Sequence, residues 1–96
     1  MSTDLAAALI AALGMEPTYS AEEAAALLGR SYSWLDRGLR ESKFTHLDGT
    51  PVEPQRTGGG YRRFTLAMLE DLALCSYRHG WFSMPKLRSV YIELLK

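Results

Sequence analysis

Apolar residues return at helical spacing in five stretches of this chain, and between the third and fourth the pattern changes to one suited to strands. Thr3 caps the first stretch, a helix expected over Asp4–Leu13 with Leu5, Leu9, Ala12 and Leu13 on one face; Gly14 and Pro17 close it. Ser20-Ala21-Glu22-Glu23 is a capping box, whose serine and glutamate side chains satisfy free amides at a helix start. Ala24, Ala25, Leu27 and Leu28 follow, and Gly29 ends this second helix. After the turn Gly29-Arg30-Ser31, Ser31 caps a third helix from Tyr32 to Lys43. Trp34, Leu35 and Leu39 take its inner side, leaving Tyr32, Ser33, Asp36, Arg37 and Arg40 for the outer. Further on, Thr65 caps a helix over Leu66–His79 with Met68, Leu69, Leu72 and Cys75 at core spacing. Gly80 stops it, and Trp81 and Phe82 cover the core. Ser83 and Pro85 open a last helix that buries Leu87, Val90, Tyr91 and Leu94.

The intervening segment cannot be helical, because Pro51 and Pro54 interrupt it and Asp48-Gly49 is a turn dipeptide. An extended connection leads into a strand over Val52–Arg56. Gly58, Gly59 and Gly60 form a tip that needs no side chain and tolerates positive φ, and Tyr61–Phe64 return with β-propensity. Arg56, Arg62 and Arg63 flank that tip. Such a hairpin looks like a DNA-binding wing, against the plainer alternative of a flexible loop between two helical hairpins. Similarly, the short helix, glycine turn and polar-faced helix from Ser20 fit a helix–turn–helix, and also an ordinary αα-hairpin with solvated charges.

Composition narrows the choice of class. The 96 residues, 47% hydrophobic, suit one domain over 1–96 with a modest core. No apolar run is long enough to cross a membrane, and the N-terminal stretch lacks the basic flank of a signal peptide. One cysteine, Cys75, excludes an internal disulfide and suits a reducing cytoplasm, here expected to be that of a bacterial host. Cys75 and His79 lie a helical turn apart, but a buried thiol is the simpler reading, and no metal or cofactor is expected. No carboxylate pair, nucleophile–base pair or phosphate loop points to an enzyme.

The net charge is zero, which counts against a nucleic-acid partner until its distribution is considered. Residues 1–27 carry Asp4, Glu16, Glu22 and Glu23 and no Lys or Arg, a charge of −4. Residues 28–65 carry +3 and residues 66–96 carry +1. The cationic excess therefore falls on the polar helix and the hairpin. Neutrality of the whole implies weak binding by a single copy.

The order of these parts resembles the DNA-binding domain of MerR-like winged helix–turn–helix proteins, over roughly residues 19–95. Tyr19-Ser20, Glu23-Ala24-Ala25 and Leu28-Gly29 look like the family's first helix, and Ser31 with Trp34-Leu35 looks like the entry to its recognition helix. Arg56, Gly60-Tyr61-Arg62 and Phe64-Thr65 follow the family's wing. Leu69, Leu72, Arg78, Gly80, Phe82, Ser83 and Leu87 follow its second helical pair. The connection from Lys43 to Gln55 is longer than the family's, and the chain stops where MerR regulators continue into a dimerisation helix. Stripped-down domains of this kind resemble small phage excisionases, the recombination directionality factors.

The resemblance implies a mainly α fold, a MerR-like winged helix–turn–helix with a short β-hairpin wing and an extra N-terminal helix. It implies binding to double-stranded DNA, with DNA bending and with a phage integrase redirected toward excision. Ser31, Tyr32, Ser33, Arg37, Arg40 and Lys43 would serve the recognition helix, and Arg56, Gly59, Gly60, Tyr61, Arg62 and Arg63 the wing. Other copies on adjacent sites are the further expected partners. A small MerR-like regulator or repressor is the alternative within DNA binding. A protein-interaction adaptor docking through the helical hairpin and Trp81-Phe82 is the alternative of another class.

Overall fold

The computed structural model describes residues 17–96, so the helix expected over Asp4–Leu13 lies outside the described residues. Strand β1 (Thr18–Tyr19) leads into helix α1 (Ala21–Leu27) and then α2 (Tyr32–Arg40). Strands β2 (Gln55–Arg56) and β3 (Arg62–Thr65) follow, then helices α3 (Leu66–Arg78) and α4 (Met84–Leu94). The described chain is thus a small, mostly helical domain of four helices with a three-stranded antiparallel sheet in the order β1–β3–β2.

Local chemistry sets the helix boundaries. Ser20 accepts from the Glu23 amide at 3.1 Å while the Glu23 carboxylate accepts from the Ser20 amide at 2.9 Å, which completes the capping box. Ser31, Thr65 and Ser83 cap α2, α3 and α4 through their hydroxyls, as the sequence predicts. At their other ends, α1, α2 and α3 close in the same way. The residue after the cap turns left-handed, and paired amide–carbonyl bonds run back to the last turn. Gly29 and Gly80 fill that position after α1 and α3, but after α2 it falls to Ser42, at φ 53°. There Ser42 N–H bonds to Leu39 C=O at 3.2 Å and Lys43 N–H to Gly38 C=O at 2.9 Å. This closure stops α2 at Arg40, short of the Lys43 expected from the sequence, where no glycine marks the end.

The sheet differs from expectation in two ways. Val52 does not begin a strand but is buried in the core, so the first hairpin strand is only Gln55–Arg56. The return strand runs from Arg62 to Thr65, and its inner edge takes an unforeseen partner: Thr18 pairs with Thr65 and Tyr19 with Phe64. Two residues are too few to show a period.

One core joins everything. Ala24, Leu28, Leu35, Phe44, Phe64, Leu69, Leu72, Phe82 and Val90 are all buried in it. The long connection after α2 is docked rather than loose. Thr45 N–H points to the buried Cys75 sulfur at 3.4 Å, Arg78 donates to Thr45 C=O at 2.8 Å, and His46 Nδ1 meets Asp71 at 2.8 Å. Its Asp48-Gly49 turn is closed by Thr50, whose amide and hydroxyl both reach the Asp48 carboxylate. The docking presses the Phe44 ring onto Gly38, where an added Cβ would lie 2.4 Å from the ring.

Gly38→Ala tests that contact. Alanine favours the helix by about 1 kcal/mol, but the buried Phe44 ring cannot yield, and overpacking costs about 1–3 kcal/mol. A net loss of stability in urea unfolding is expected; a gain would show that Phe44 is not held against α2.

Candidate nucleic-acid interface

The residues expected to bind DNA come from α2 and from the β2–β3 hairpin, and the structure sets these two side by side. The hairpin is closed by Thr57 N–H to Tyr61 C=O and by Gly60 N–H to Thr57 C=O, both 2.9 Å. Gly60, at φ 84°, takes the left-handed place that a three-residue hairpin loop demands. Thr57 Oγ1 also accepts from the Tyr61 amide at 3.2 Å, and Arg56 donates to Gly60 C=O at 2.9 Å. Tyr61 is left 76% exposed, its ring edge lying over Gly59, where a Cβ would come within 3.3 Å.

Asp36 ties the hairpin to the helix. One carboxylate oxygen accepts from Arg62 at 2.7 Å and the other meets Arg40 at 3.0 Å, a helical turn along α2. The Arg62 side chain is only 12% exposed and that of Asp36 22%, against 68% for Arg40. Arg62 Nε is buried without a partner among the described residues. Next along β3, Arg63 reaches the opposite strand, donating to the Thr18 carbonyl at 2.9 Å and hydroxyl at 3.1 Å.

These contacts divide the expected site. Tyr32, Arg56, Gly60, Tyr61, Arg62 and Arg63 all line one groove of about 590 Å³ between the starts of α1 and α2 and the hairpin, with Asp36 among them. Ser31 and Ser33 are exposed at the same end of α2, and Arg40 lies two turns above Ser33. Arg62 is ion-paired with Asp36 and so positions the hairpin, whereas Arg63, held by neutral oxygens of Thr18, keeps its charge. Arg37 and Lys43 do not line this groove; they lie beside Trp34, Phe44 and Trp81 on another flank of α2. Lys43, past the helix end, pairs with Glu41 at 2.8 Å. Sequence reasoning placed Asp36 on the outer face of α2 but missed its role, because nothing local signals a partner 26 residues away. It missed Thr18, whose partner Arg63 is 45 residues away, for the same reason.

The Asp36 carboxyl is held below its ordinary value of 3.8, first by the hydrogen bond from Arg62 and further by the charge of Arg40, against the opposing effect of burial. Among the described residues, no cluster of side chains could hold a metal ion, and no helix is long and apolar enough to cross a membrane.

Fold and site together define a small mixed domain that presents a polar helix face and an arginine-bearing hairpin on one side. Residues 9–96 match the model of a family described as a domain of unknown function, DUF7229, and the chain belongs to that family. Neither the curated proteins nor the solved structures contain a match.

The Asp36 pair makes a pH-dependent contribution of known sign. A depressed carboxyl favours the folded state fully above its unfolded value near 3.8 and loses that effect as pH falls through the lower folded value. Asp36→Asn should therefore lower stability at neutral pH and make the acid-side decline less steep, measured by urea unfolding from about pH 6 to about pH 2. Glu23, Glu41 and Asp48 are also depressed by their own hydrogen bonds, so the slope falls without vanishing. An unchanged acid limb would show that the pair contributes nothing to folding.

Proposed function

We infer that this domain binds double-stranded DNA as a MerR-like winged helix–turn–helix and acts as an architectural factor of the excisionase kind. One observation carries the reading: the Asp36–Arg62 pair sets a polar helix face and a cationic hairpin at fixed spacing on one side of the domain. In this reading α2 enters the major groove, where Arg40 can take the two acceptors of a guanine edge. Tyr32 and Ser33, at the exposed start of α2, contact bases or phosphates, with Ser31 holding the helix start in place. The hairpin follows the backbone and the neighbouring minor groove, with Arg56 and Arg63 its cations that meet no carboxylate among the described residues, and Gly59, Gly60 and Tyr61 its tip.

The charge balance shapes the mechanism. A neutral chain gains little from phosphate attraction at a single site, so useful occupancy requires copies on adjacent sites. Copies bound in a row can hold a bend whose elastic cost is on the order of a few kcal/mol. That bend would bring distant integrase sites together and favour excision.

Three measurements test this. With about four to five phosphates neutralised, log affinity for duplex DNA should fall with log salt at a slope of about −4. A flat response would remove the DNA reading. Arg40→Ala should cost about 1–3 kcal/mol on the preferred sequence and relax its choice at particular base pairs. Arg56→Ala should instead weaken all sequences alike and make the salt slope shallower by about one unit. Equal losses of specificity from both would overturn this division. Finally, inserting about five base pairs between adjacent sites turns neighbours to opposite faces of the duplex. Cooperativity and excision should be lost with single-site affinity intact; if both persist, a simple repressor is the better reading.

A further inference from the structure

Both tryptophans of the chain, Trp34 and Trp81, line a second, smaller cleft of about 170 Å³ on the flank of α2. Their rings meet edge to face at 6.4 Å, and the buried Phe44 ring contacts both, at 5.3 Å and 6.0 Å. Gly38 also lines the cleft, with the Phe44 ring packed against it. Arg37 and Lys43 complete its lining, while Arg30 lies 5.4 Å from the Trp34 ring and donates to the Trp81 carbonyl at 2.9 Å. Trp81 is half-buried by Trp34, Phe44 and the stacked His79 ring rather than by the hairpin. Held aromatic walls beside cationic groups are the chemistry of an interface anchor site.

We propose that this cleft receives the acidic N-terminal segment of a second copy of the chain. Residues 1–16 carry Asp4 and Glu16 and no Lys or Arg, and they place Leu5, Leu9 and Leu13 four residues apart. The segment therefore offers apolar side chains to the indoles and negative charge to Arg37, Lys43 and Arg30. Donor and acceptor are different surfaces, so the contact can run head to tail from one copy to the next. It would repeat from copy to copy along adjacent sites, and in that use it rests on the tandem-loading reading above. The docking itself requires no DNA.

Intrinsic emission reports on this cleft alone, since the chain has no other tryptophan. Dilute full-length protein is titrated, without DNA, with an acetylated peptide of residues 1–16. A saturable change in emission is expected. Lys43→Glu in the protein should weaken it about tenfold, a usual effect of reversing an interfacial charge, and a peptide carrying Asp4→Lys and Glu16→Lys should give no change. In sedimentation, the same double substitution in the whole chain should weaken self-association about tenfold. No emission change, an equal response to the reversed peptide, or association indifferent to these substitutions overturns the proposal. So does a concentration-independent emission shift caused by Asp4→Lys and Glu16→Lys in the dilute chain, which would put the segment in its own cleft. Because DNA is absent throughout, docking that persists while duplex binding fails would overturn the DNA reading alone.

Discussion

The ion pair between Asp36 and Arg62 is the constraint on which the rest of this domain's surface depends. A two-stranded hairpin of this length has no stability of its own, and β2 contributes only Gln55 and Arg56 to its partner strand. Pairing with β1 and the buried Phe64 anchor its return strand, and what ties it to α2 is a guanidinium, almost wholly buried, that meets a carboxylate at 2.7 Å. Removing one member of such a pair costs more than the pair itself contributes, because the other is left desolvated and unmatched. The helix and the hairpin therefore keep their relative position or lose it together.

A second set of contacts fixes α2 from behind. The connection from Phe44 to Val52 is pinned to α3 through Cys75, Arg78 and Asp71, and it delivers Phe44 into the core against Gly38. With the Leu35 side and the Gly38 side both buried, α2 can expose only the remaining arc. Burial alone thus decides that Tyr32, Ser33, Arg37 and Arg40 face outward, and the left-handed turn at Ser42 ends the helix before Lys43 can join them.

Much of the fold was legible because its signals are local. Ser20, Ser31, Thr65 and Ser83 each marked a helix start, Gly29 and Gly80 each marked an end, and Asp48-Gly49 and the triple glycine marked turns. What was missed is long-range or too short to have a period. Strand β1 is two residues, the end of α2 relies on a serine in a glycine's place, and Val52 reads as strand though the core claims it. The arginines show the same limit. Their clustering around the hairpin was plain in the sequence, but that Arg62 belongs to Asp36 and Arg63 to Thr18 depends on tertiary placement. Arg56 and Arg62 look alike in the sequence and differ in the fold.

The central claim is that Arg62 acts through Asp36 to hold the hairpin in place for DNA. A double-mutant cycle of Asp36→Ala and Arg62→Ala, read as affinity for duplex DNA at low salt, tests it most directly. If the two act as one unit, the double variant should bind no worse than the weaker single variant, with a coupling energy of about 1 kcal/mol or more. Additive losses would mean that Arg62 meets DNA in its own right, and duplex binding insensitive to both substitutions would mean that the fixed helix–hairpin face is not where DNA binds.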